Sequence, residues 1–265
     1  MTSIDTAPAI ELDALEKHYG AAHALRGIDL SVRQGEVFGF LGPNGAGKTT
    51  AIRIMLDLIR PSGGRARVLG FDAQAETVEA RRHIGYLPGD AIFYRDVTAD
   101  ELFAYVERLR DGAVDRVYLR RLIDDLQLDA GRPIRALSRG NRQKVAVIQA
   151  LMARPALVIL DEPTTGLDPL MQDVVEDLLR EVAADGRTVF FSSHLLAEVE
   201  QVCSRAAILR EGRIVNVFDL AEQRRIAPRE VRVVLEVAPA ADAFDAVPGI
   251  RVLSVVGTEA RFETD

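Results

Sequence analysis

The chain has 265 residues, of which 33 are Lys or Arg and 40 are Asp or Glu, so its formal net charge is −7. This length corresponds to one large domain, or to one domain with a small appendage. A hydrophobic fraction of 48% with 28% charged residues is typical of a globular protein and excludes a disordered chain. The net negative charge argues against a broad basic surface that binds nucleic acid, although it is compatible with a local basic patch.

Cysteine content and hydropathy indicate the compartment. The single cysteine, Cys203, cannot form an internal disulfide and fits a reducing environment. No apolar run approaches the roughly 18–20 residues that cross a bilayer. Acidic residues also precede the first basic residue, Lys17, which is the reverse of the charge order in a signal peptide. We therefore expect a soluble, cytoplasmic chain that could still dock on a membrane protein.

Apolar segments of strand length alternate with segments of helical period along most of the chain. Two strand-like pieces, 10–15 and 28–32, are expected to pair antiparallel, and a helix is predicted over 48–59. Further strands are predicted at 36–41, 67–70, 84–87, 157–160, 188–192 and 206–209. Because the strand at 157–160 is wholly apolar and is separated from its neighbours by helices, the pattern favours a buried, largely parallel sheet with helices on its faces.

The stretch 98–154 differs because one helical pattern follows another. Helices are predicted at 99–109, 114–126 and 139–152. An all-helical insert inside an α/β chain is a candidate subdomain. After a predicted linker at 223–230, alternating residues predict a small β-rich appendage with strands at 231–237, 252–256 and 260–263.

The strongest motif is a glycine-rich turn between a predicted strand and a predicted helix. The turn consists of Gly42, Pro43, Asn44, Gly45, Ala46, Gly47, Lys48, Thr49 and Thr50. Its glycines let backbone N–H groups point at phosphate oxygens, and the following helix adds its positive end. Lys48 can neutralise the outer phosphates, and the Thr49 hydroxyl can bind Mg²⁺. The motif therefore predicts nucleotide binding.

A second motif places two acids at the end of the apolar strand 157–160. Asp161 lies at the carboxyl end of that strand, where α/β folds keep their ligand sites, and can hold Mg²⁺ directly or through water. The adjacent Glu162 is placed to polarise an attacking water. Alone, the pair is more typical of a solvated acidic strand end that leads into a turn. Beside a phosphate loop it favours metal and water chemistry.

A third motif, LSRGNRQK at 137–144, opens the last helix of the insert. Ser138 precedes the helical run and is typical of an N-cap. Ser138, Gly140 and the helix N-terminus also form a candidate second anion site. A single chain binds its nucleotide at the phosphate loop and has no second phosphate for this site. Anion binding at Ser138 and Gly140 would therefore require the nucleotide of another subunit.

The ordered set of motifs resembles the ATP-binding subunits of ATP-binding-cassette (ABC) transporters. The resemblance covers about residues 10–225 and rests on the phosphate loop, the helical insert, LSRGN, LVILDEP, GLDP and FFSSH, in that order. It implies an α/β fold, the P-loop NTPase nucleotide-binding domain of ABC type, at 1–225. That fold has a RecA-like core, an antiparallel β subdomain and a helical subdomain at about 98–154, here followed by the small β-rich extension at 231–265.

The resemblance also implies roles for individual residues. Glu162 corresponds to the general base, His194 to the histidine that contacts the γ-phosphate, and both act with Lys48 in catalysis. Asp168 of GLDP corresponds to a residue that acts across a dimer interface. Tyr19 corresponds to an aromatic residue that stacks on adenine.

In the family two such domains pack head to tail. Each ATP then lies between one phosphate loop and the partner domain's residues that correspond to Ser138 and Gly140. With one cassette in the chain, the resemblance implies that a second chain, expected to be an identical one, completes each site.

Two segments depart from the pattern of the family. A Gln usually follows the IGYLP strand and contacts Mg²⁺, whereas this chain has Gly89, which has no side chain to offer. Asp90, one place later, could supply an oxygen instead and is a candidate metal ligand. In LSRGN, Arg139 and Asn141 replace residues of the commoner LSGGQ. Together these departures resemble the drug- and antibiotic-exporter branch.

The resemblance implies an ATPase that uses ATP and Mg²⁺ and drives a separately encoded membrane permease from the inner face of the cell membrane. The expected transport is the export of a drug, antibiotic or other small molecule, and the permease is expected to dock on 84–109. One alternative is a soluble ABC-type ATPase acting on nucleic acid or ribosomes; the acidic charge and the absence of sustained heptads argue against it, and we expect no nucleic-acid partner. A second alternative, a binding-only regulatory cassette, is disfavoured by Glu162 and His194.

Overall fold

The computed structural model describes residues 7–94, 96–110, 114–220, 222, 229–237, 239–240, 243–244, 247 and 250–264. The chain divides into two structural units, Met1–Phe218 and Asp219–Asp265. The division falls before the linker predicted at 223–230, of which residues 223–228 lie outside the described residues.

An antiparallel sheet occupies the N-terminal part of the first unit. Its strands, in the spatial order β2-β1-β4-β5, are β1 (Ile10–Tyr19), β2 (Ala22–Val32), β4 (Gly63–Val68) and β5 (Phe71–Asp72). Alternate residues of β2, Ile28, Leu30 and Val32, are buried, as expected for a strand with one face on a core. The antiparallel pairing of β1 with β2 confirms the prediction for 10–15 and 28–32.

A second, six-stranded sheet forms the centre of this unit, with the order β10-β9-β3-β8-β7-β6. Its strands are β3 (Val37–Leu41), β6 (Ile84–Leu87), β7 (Leu157–Asp161), β8 (Thr188–Ser193), β9 (Arg205–Arg210) and β10 (Arg213–Asp219). β3 pairs parallel with both β8 and β9, and β7 pairs parallel with both β8 and β6. Every residue of β3, β7 and β8 is buried, which confirms the predicted buried, largely parallel sheet.

Seven α-helices have both bounds within the described residues. They are α1 (Lys48–Met55), α2 (Thr77–Arg82), α3 (Ala99–Leu109), α4 (Arg116–Asp125), α5 (Arg139–Leu151), α6 (Pro169–Ala184) and α7 (Leu196–Val202). The prediction of 99–109 is confirmed at both ends. A capping box starts this helix, in which Glu101 N–H donates to Thr98 Oγ1 at 3.1 Å and Thr98 N–H donates to Glu101 Oε2 at 2.8 Å. None of the helices in the described residues has the length and apolar character needed to cross a membrane.

The helix predicted over 48–59 is shorter in the structure, because α1 ends at Met55. Asp57 adopts a left-handed φ of 51°. Its N–H donates to Ile54 O at 2.9 Å, and Leu58 N–H donates to Arg53 O at 2.8 Å. These two bonds form a Schellman-type ending, which satisfies the last carbonyls and turns the chain away from the helix axis.

The second unit contains a three-stranded antiparallel sheet, with the order β11-β13-β12. Its strands are β11 (Arg229–Val234), β12 (Ile250–Val256) and β13 (Glu259–Thr264). Ala260 and Phe262 of the central strand are buried, and Phe244 packs edge-on against Phe262 with ring centroids 4.7 Å apart. These strands correspond to the three predicted in 231–263, although the first one ends at Val234.

The central sheet brings three chain segments to one edge. Because β3, β7 and β8 are adjacent and parallel, their carboxyl ends lie side by side. Gly42 follows β3, Glu162 follows β7 and His194 follows β8. The topology therefore places the phosphate loop, the acidic strand end and the histidine next to one another.

Candidate nucleotide site

The phosphate loop, Gly42–Thr50, is fixed between two strands. Gly42 N–H donates to Ser193 O at 3.2 Å, which ties the start of the loop to the end of β8. Gly47 has a φ of 113°, and a Cβ there would come within 2.6 Å of Ala24 O of β2. Only glycine accommodates both this backbone angle and this close approach. Residues 44–50 line a cavity of about 160 Å³ together with Ala24 and Glu162.

Lys48 is folded over the loop that precedes it. Its side chain is 5% exposed, and Nζ donates to Gly42 O at 2.6 Å and lies 3.4 Å from Pro43 O. Nζ also lies 3.6 Å from Glu162 Oε1. The ammonium group is thus held among oxygen atoms at the mouth of the phosphate cavity, where phosphate oxygens can replace the loop carbonyls as its partners.

Asp161 is buried and its two carboxylate oxygens have different partners. Thr49 Oγ1 donates to Oδ2 at 2.7 Å, and Ser192 Oγ donates to Oδ1 at 2.5 Å. A hydroxyl and a carboxylate oxygen that converge in this way fit Mg²⁺, which prefers oxygen ligands and keeps several waters or phosphate oxygens. Among the described residues, no group of three or more His, Cys, Asp or Glu is placed to hold a metal ion.

Glu162 stands on a turn with an unusual backbone. Its φ is 53°, in the left-handed region that few non-glycine residues adopt, and its N–H donates to Ser192 O at 3.1 Å. This turn aims the carboxylate across the sheet edge, so that Oε1 lies 3.3 Å from Nδ1 of His194. The side chain is about one quarter exposed, which leaves it accessible to a water molecule. Glu162 therefore lies between a lysine, a histidine and the phosphate cavity.

The segment after β6 forms the other wall of the metal-binding position. Gly89 and Asp90 line a cavity of about 260 Å³ together with Thr49, Asp161 and Glu162. A Cβ at Gly89 would lie 3.4 Å from Asp161 Oδ2, so this backbone passes beside the carboxylate.

Tyr86 lines the same cavity. Burial, reinforced by the charge of Asp161, raises the pKa of Tyr86 to about 12. The phenol therefore remains neutral beside the acids.

The LSRGN segment and GLDP meet each other, and Arg139 of LSRGN also lines the cavity at Asp161. Ser138 Oγ accepts from Asn141 N–H at 3.1 Å, which confirms the predicted N-cap, and Asp168 caps α6 by accepting from Met171 N–H at 3.1 Å. A Cβ at Gly140 would come within 2.8 Å of Gly166 O, so the two segments are in close contact. In the described part of the chain, Ser138, Gly140 and Asp168 line neither the phosphate cavity nor the cavity at Asp161.

Tyr19 ends β1 and pairs with Ala22 across a tight hairpin. The residue is 51% exposed, and Lys17 Nζ lies 5.1 Å from its ring centroid. The hairpin leads into Ala24, which lines the phosphate cavity. An exposed aromatic face is thus attached to the strand that supports the phosphate loop.

Three polar residues that the motifs did not single out hold the site. Ser192 binds Asp161, as described above. Gln143 of α5 donates to Pro163 O at 2.8 Å and to Glu162 O at 3.3 Å, and Glu198 of α7 accepts from Thr164 Oγ1 at 2.8 Å. The available sequence signal was their place in the chain, since Gln143 lies inside LSRGNRQK, Ser192 lies inside FFSSH and Glu198 follows FFSSH.

The sequence matches a protein-family model described as ABC transporter over residues 25–165, more than half of the chain. The chain belongs to the ABC transporter ATP-binding family. The matched part of this ABC cassette contains the phosphate loop, the LSRGN segment and both acids, whereas Asp168 and His194 lie beyond it.

Relatives of known sequence extend the comparison. An uncharacterized ABC transporter ATP-binding protein of Synechocystis is 40% identical over 205 residues, 75% of this chain and 57% of that protein. The daunorubicin resistance ATP-binding protein DrrA2 of Streptomyces coeruleorubidus is 36% identical over 249 residues, 87% of this chain and 77% of that protein. The chain thus spans less than two thirds of the Synechocystis relative and 61% of a similar Nostoc protein.

A solved structure has the same fold. It is described as the dimeric structure of MJ0796, a bacterial ABC transporter cassette. The two chains superimpose with a TM-score of 0.73 at 25% identity, over 80% of this chain and 98% of the other. The ABC-type P-loop fold expected from the motifs is therefore confirmed.

Proposed function

We propose that this ABC cassette hydrolyses ATP as one of two subunits that energise a membrane permease. The observation that carries the proposal is the convergence of Lys48, Glu162 and His194 at the mouth of the phosphate cavity, with Oε1 of Glu162 3.6 Å from the lysine and 3.3 Å from the histidine. This combination offers charge neutralisation, a base and a hydrogen-bond donor at one position.

In the proposed reaction a water attacks the γ-phosphorus of ATP. Glu162 accepts the proton of that water, while the bond from the γ-phosphorus to the bridging oxygen breaks and ADP leaves. Lys48 stabilises negative charge on the outer phosphates, and His194 contacts the γ-phosphate and fixes the carboxylate of Glu162. Tyr19 stacks on the adenine. Main-chain N–H groups of residues 42–50 surround the phosphates.

Thr49 and Asp161 are the proposed ligands of Mg²⁺, with Asp90 as a third candidate beside Gly89. When bound, the ion neutralises phosphate charge. The buried carboxylate of Asp161 is held in place by Ser192, which keeps one oxygen directed at Thr49. Asp90 is exposed at the same cavity, so its carboxylate can approach without rearrangement of the sheet.

The proposed working state is a head-to-tail homodimer. Ser138, Gly140 and Asp168 line neither of the two cavities at the phosphate loop, so in this proposal they serve the nucleotide of a partner. Ser138 and Asp168 each cap a helix, and the N-terminus of α5 provides a positive end for a phosphate. The related bacterial cassette described as dimeric supports this arrangement.

A cytoplasmic helix of the permease is proposed to dock beside α3. A groove of about 230 Å³ runs between α3 and the segment after β6; most of its lining lies in the predicted range 84–109, and α5 adds Ala146 and Gln149. Several of the apolar residues that line it are exposed, including Ile92 at 92% and Tyr94 at 74%. Tyr86 and Pro88 line both this groove and the cavity at Asp161, so movement of a docked helix can reach the metal-binding position.

Export of a drug, antibiotic or similar small molecule is the proposed transport, and the proposed location is the inner face of the cell membrane. The daunorubicin resistance relative supports this direction, since its match extends over 87% of the chain. The permease, not the cassette, would carry the substrate specificity.

The test uses the purified chain and cell fractions. Mg²⁺-dependent ATP hydrolysis, together with co-purification with the membrane fraction, is expected. Hydrolysis with co-purification on RNA or DNA would instead favour a soluble ATPase acting on nucleic acid. Binding of ATP without hydrolysis, in the purified chain and in the cell fractions alike, would favour a regulatory cassette.

A further inference from the structure

Glu198 contacts the two turns that carry the proposed base and the proposed γ-phosphate ligand. It lies on α7, four residues after His194. Its Oε1 accepts from Thr164 Oγ1 at 2.8 Å, and its Oε2 accepts from Ser193 Oγ. We propose that Glu198 is a positioning residue for ATP hydrolysis, which holds the Glu162 turn and the His194 turn at a fixed separation.

The burial of the two hydroxyls makes this contact costly to lose. Thr164 is 2% exposed and Ser193 is 1% exposed. A hydroxyl that donates to an ionised carboxylate forms a stronger bond than a neutral pair does. Loss of the carboxylate would leave the Thr164 hydroxyl without its acceptor, and would leave the Ser193 hydroxyl with Leu195 O, 3.4 Å away, as its acceptor.

The bond to Ser193 also orders the residues around His194. Leu195 N–H donates to Ser193 Oγ at 3.0 Å, and Ser193 Oγ in turn donates to Glu198. Hydrogen bonds linked in this way strengthen one another. These bonds join Leu195 and Ser193, the two neighbours of His194, to Glu198 on α7. They therefore fix the backbone from which the imidazole projects.

The Glu162 turn has a second anchor of a different kind. Gln143 donates to the carbonyls of Glu162 and Pro163, and thereby attaches the turn to α5. Gln143 binds this turn, whereas Glu198 binds this turn and the one at His194. The main chain also links the two segments, since Glu162 N–H donates to Ser192 O at the end of β8. Glu198 adds the side-chain link beyond that strand end, and we infer that it helps to set the 3.3 Å separation of Glu162 Oε1 from His194 Nδ1.

The kinetic test rests on the proposed hydrolysis and compares Glu198→Ala with Glu198→Gln and with Glu200→Ala. Glu200 is an exposed residue of the same helix. Displacement of reacting groups by about 1 Å costs up to about 100-fold in rate, so Glu198→Ala is expected to lower kcat about 10- to 100-fold. The KM for ATP should stay within about twofold, since the phosphate loop is untouched.

Glu198→Gln keeps the size and one acceptor oxygen of the native side chain. We expect it to restore part of kcat, while Glu200→Ala behaves as the native chain. Thr164→Val should reproduce part of the loss alone and add nothing in the Glu198→Ala background, because both changes break the same bond.

A second readout needs no ATP. Hydrogen exchange of the nucleotide-free chain should be about tenfold faster in Glu198→Ala at Leu195 and at residues 164–167, and unchanged in β3 and β7. If the native chain does not hydrolyse ATP, the proposed function fails while this measurement still tests the contact. Unchanged kcat or unchanged exchange at both turns would overturn the proposal. So would a loss of kcat matched by faster exchange throughout the central sheet, since that would show only a general loss of stability.

Discussion

Oε1 of Glu162 lies 3.3 Å from Nδ1 of His194, and the two residues follow adjacent parallel strands. The left-handed φ of 53° at Glu162 directs its carboxylate towards the histidine. Lys48 Nζ lies 3.6 Å from the same oxygen. One carboxylate oxygen is therefore shared by the two groups proposed to contact the outer phosphates, which makes Glu162 the most informative residue to change.

Glu162→Gln should retain ATP binding and abolish turnover. The amide keeps the shape of the side chain but cannot accept a proton from water, and general-base catalysis typically contributes about 100- to 10,000-fold. ATP should then accumulate between two chains, so sizing chromatography with ATP and Mg²⁺ should show a dimer. A monomer that has bound ATP would count against the shared site, and near-native turnover would show that another group acts as the base.

Lys48→Ala should weaken ATP binding at least about tenfold by calorimetry. The change removes a 5%-exposed ammonium that holds Gly42 O and lies at the mouth of the phosphate cavity. A charge-assisted contact to phosphate is about twice as strong as a neutral one. Arg65→Ala, at an exposed position on β4, serves as the control. Unchanged affinity in a variant with native thermal stability would contradict the assignment of the phosphate loop.

Asp90→Ala should raise the Mg²⁺ concentration that gives half-maximal ATPase activity several-fold. Asp90 lines the cavity that contains Asp161 and Thr49, and a carboxylate there supplies the oxygen that Gly89 cannot. The measurement is a Mg²⁺ titration of the hydrolysis rate, with Asp129→Ala as an exposed control. If the titrations coincide, Asp90 is a surface carboxylate without a role at the metal.

Gly89→Gln provides the reciprocal change. A Cβ at this position would have Asp161 Oδ2 at 3.4 Å, an ordinary contact, so the larger side chain can be accommodated and its amide oxygen can enter the cavity. The half-maximal Mg²⁺ concentration should fall in this variant, and Asp90→Ala should have a smaller effect in its presence. A higher Mg²⁺ requirement would show that the glutamine obstructs the site instead.

Features encoded locally could be predicted from the sequence. The phosphate loop has a fixed pattern of residues, and α3 carries a capping box at Thr98 and Glu101. The strand predicted at 84–87 has the bounds of β6, and this short run lies between His83 and Pro88. Such signals involve residues within about one turn of each other, so they need no knowledge of the tertiary structure.

Features that depend on distant residues could not be predicted. The end of α1 depends on the left-handed Asp57, whose neighbours Arg81 and Arg60 form ion pairs with it. The turn at Glu162 depends on hydrogen bonds from residues 19 or more positions away, such as Gln143. A sequence pattern gives the type of each residue but not the partner it meets across the sheet, which is why Glu198 was not singled out.

Glu176 is a buried carboxyl group whose ionised form is unfavourable in the folded chain. Glu176 of α6 is 4% exposed, and burial raises its pKa to about 7, with a smaller contribution from Asp173, Glu198 and Asp177. Arg180, 3.4 Å away, opposes this shift without cancelling it. The folded chain therefore holds a proton on Glu176 at pH values where the unfolded chain has released it.

Glu176→Gln should stabilise the protein more as the pH rises. The carboxyl ionises at about 4.5 when unfolded and at about 7 when folded, so its favourable contribution is complete below about 4.5 and is lost as the pH rises through 7. Relative to the native chain, the variant should gain on the order of 1–3 kcal/mol in free energy of unfolding between pH 5 and pH 8. Asp129→Asn removes an exposed carboxylate that does not act on Glu176 and is the control, for which we expect little pH dependence. Thermal or urea unfolding at pH 5 and pH 8 measures the free energy of unfolding of each chain. If Glu176→Gln differs from the native chain by the same amount at both pH values, Glu176 is ionised in the folded chain throughout this range.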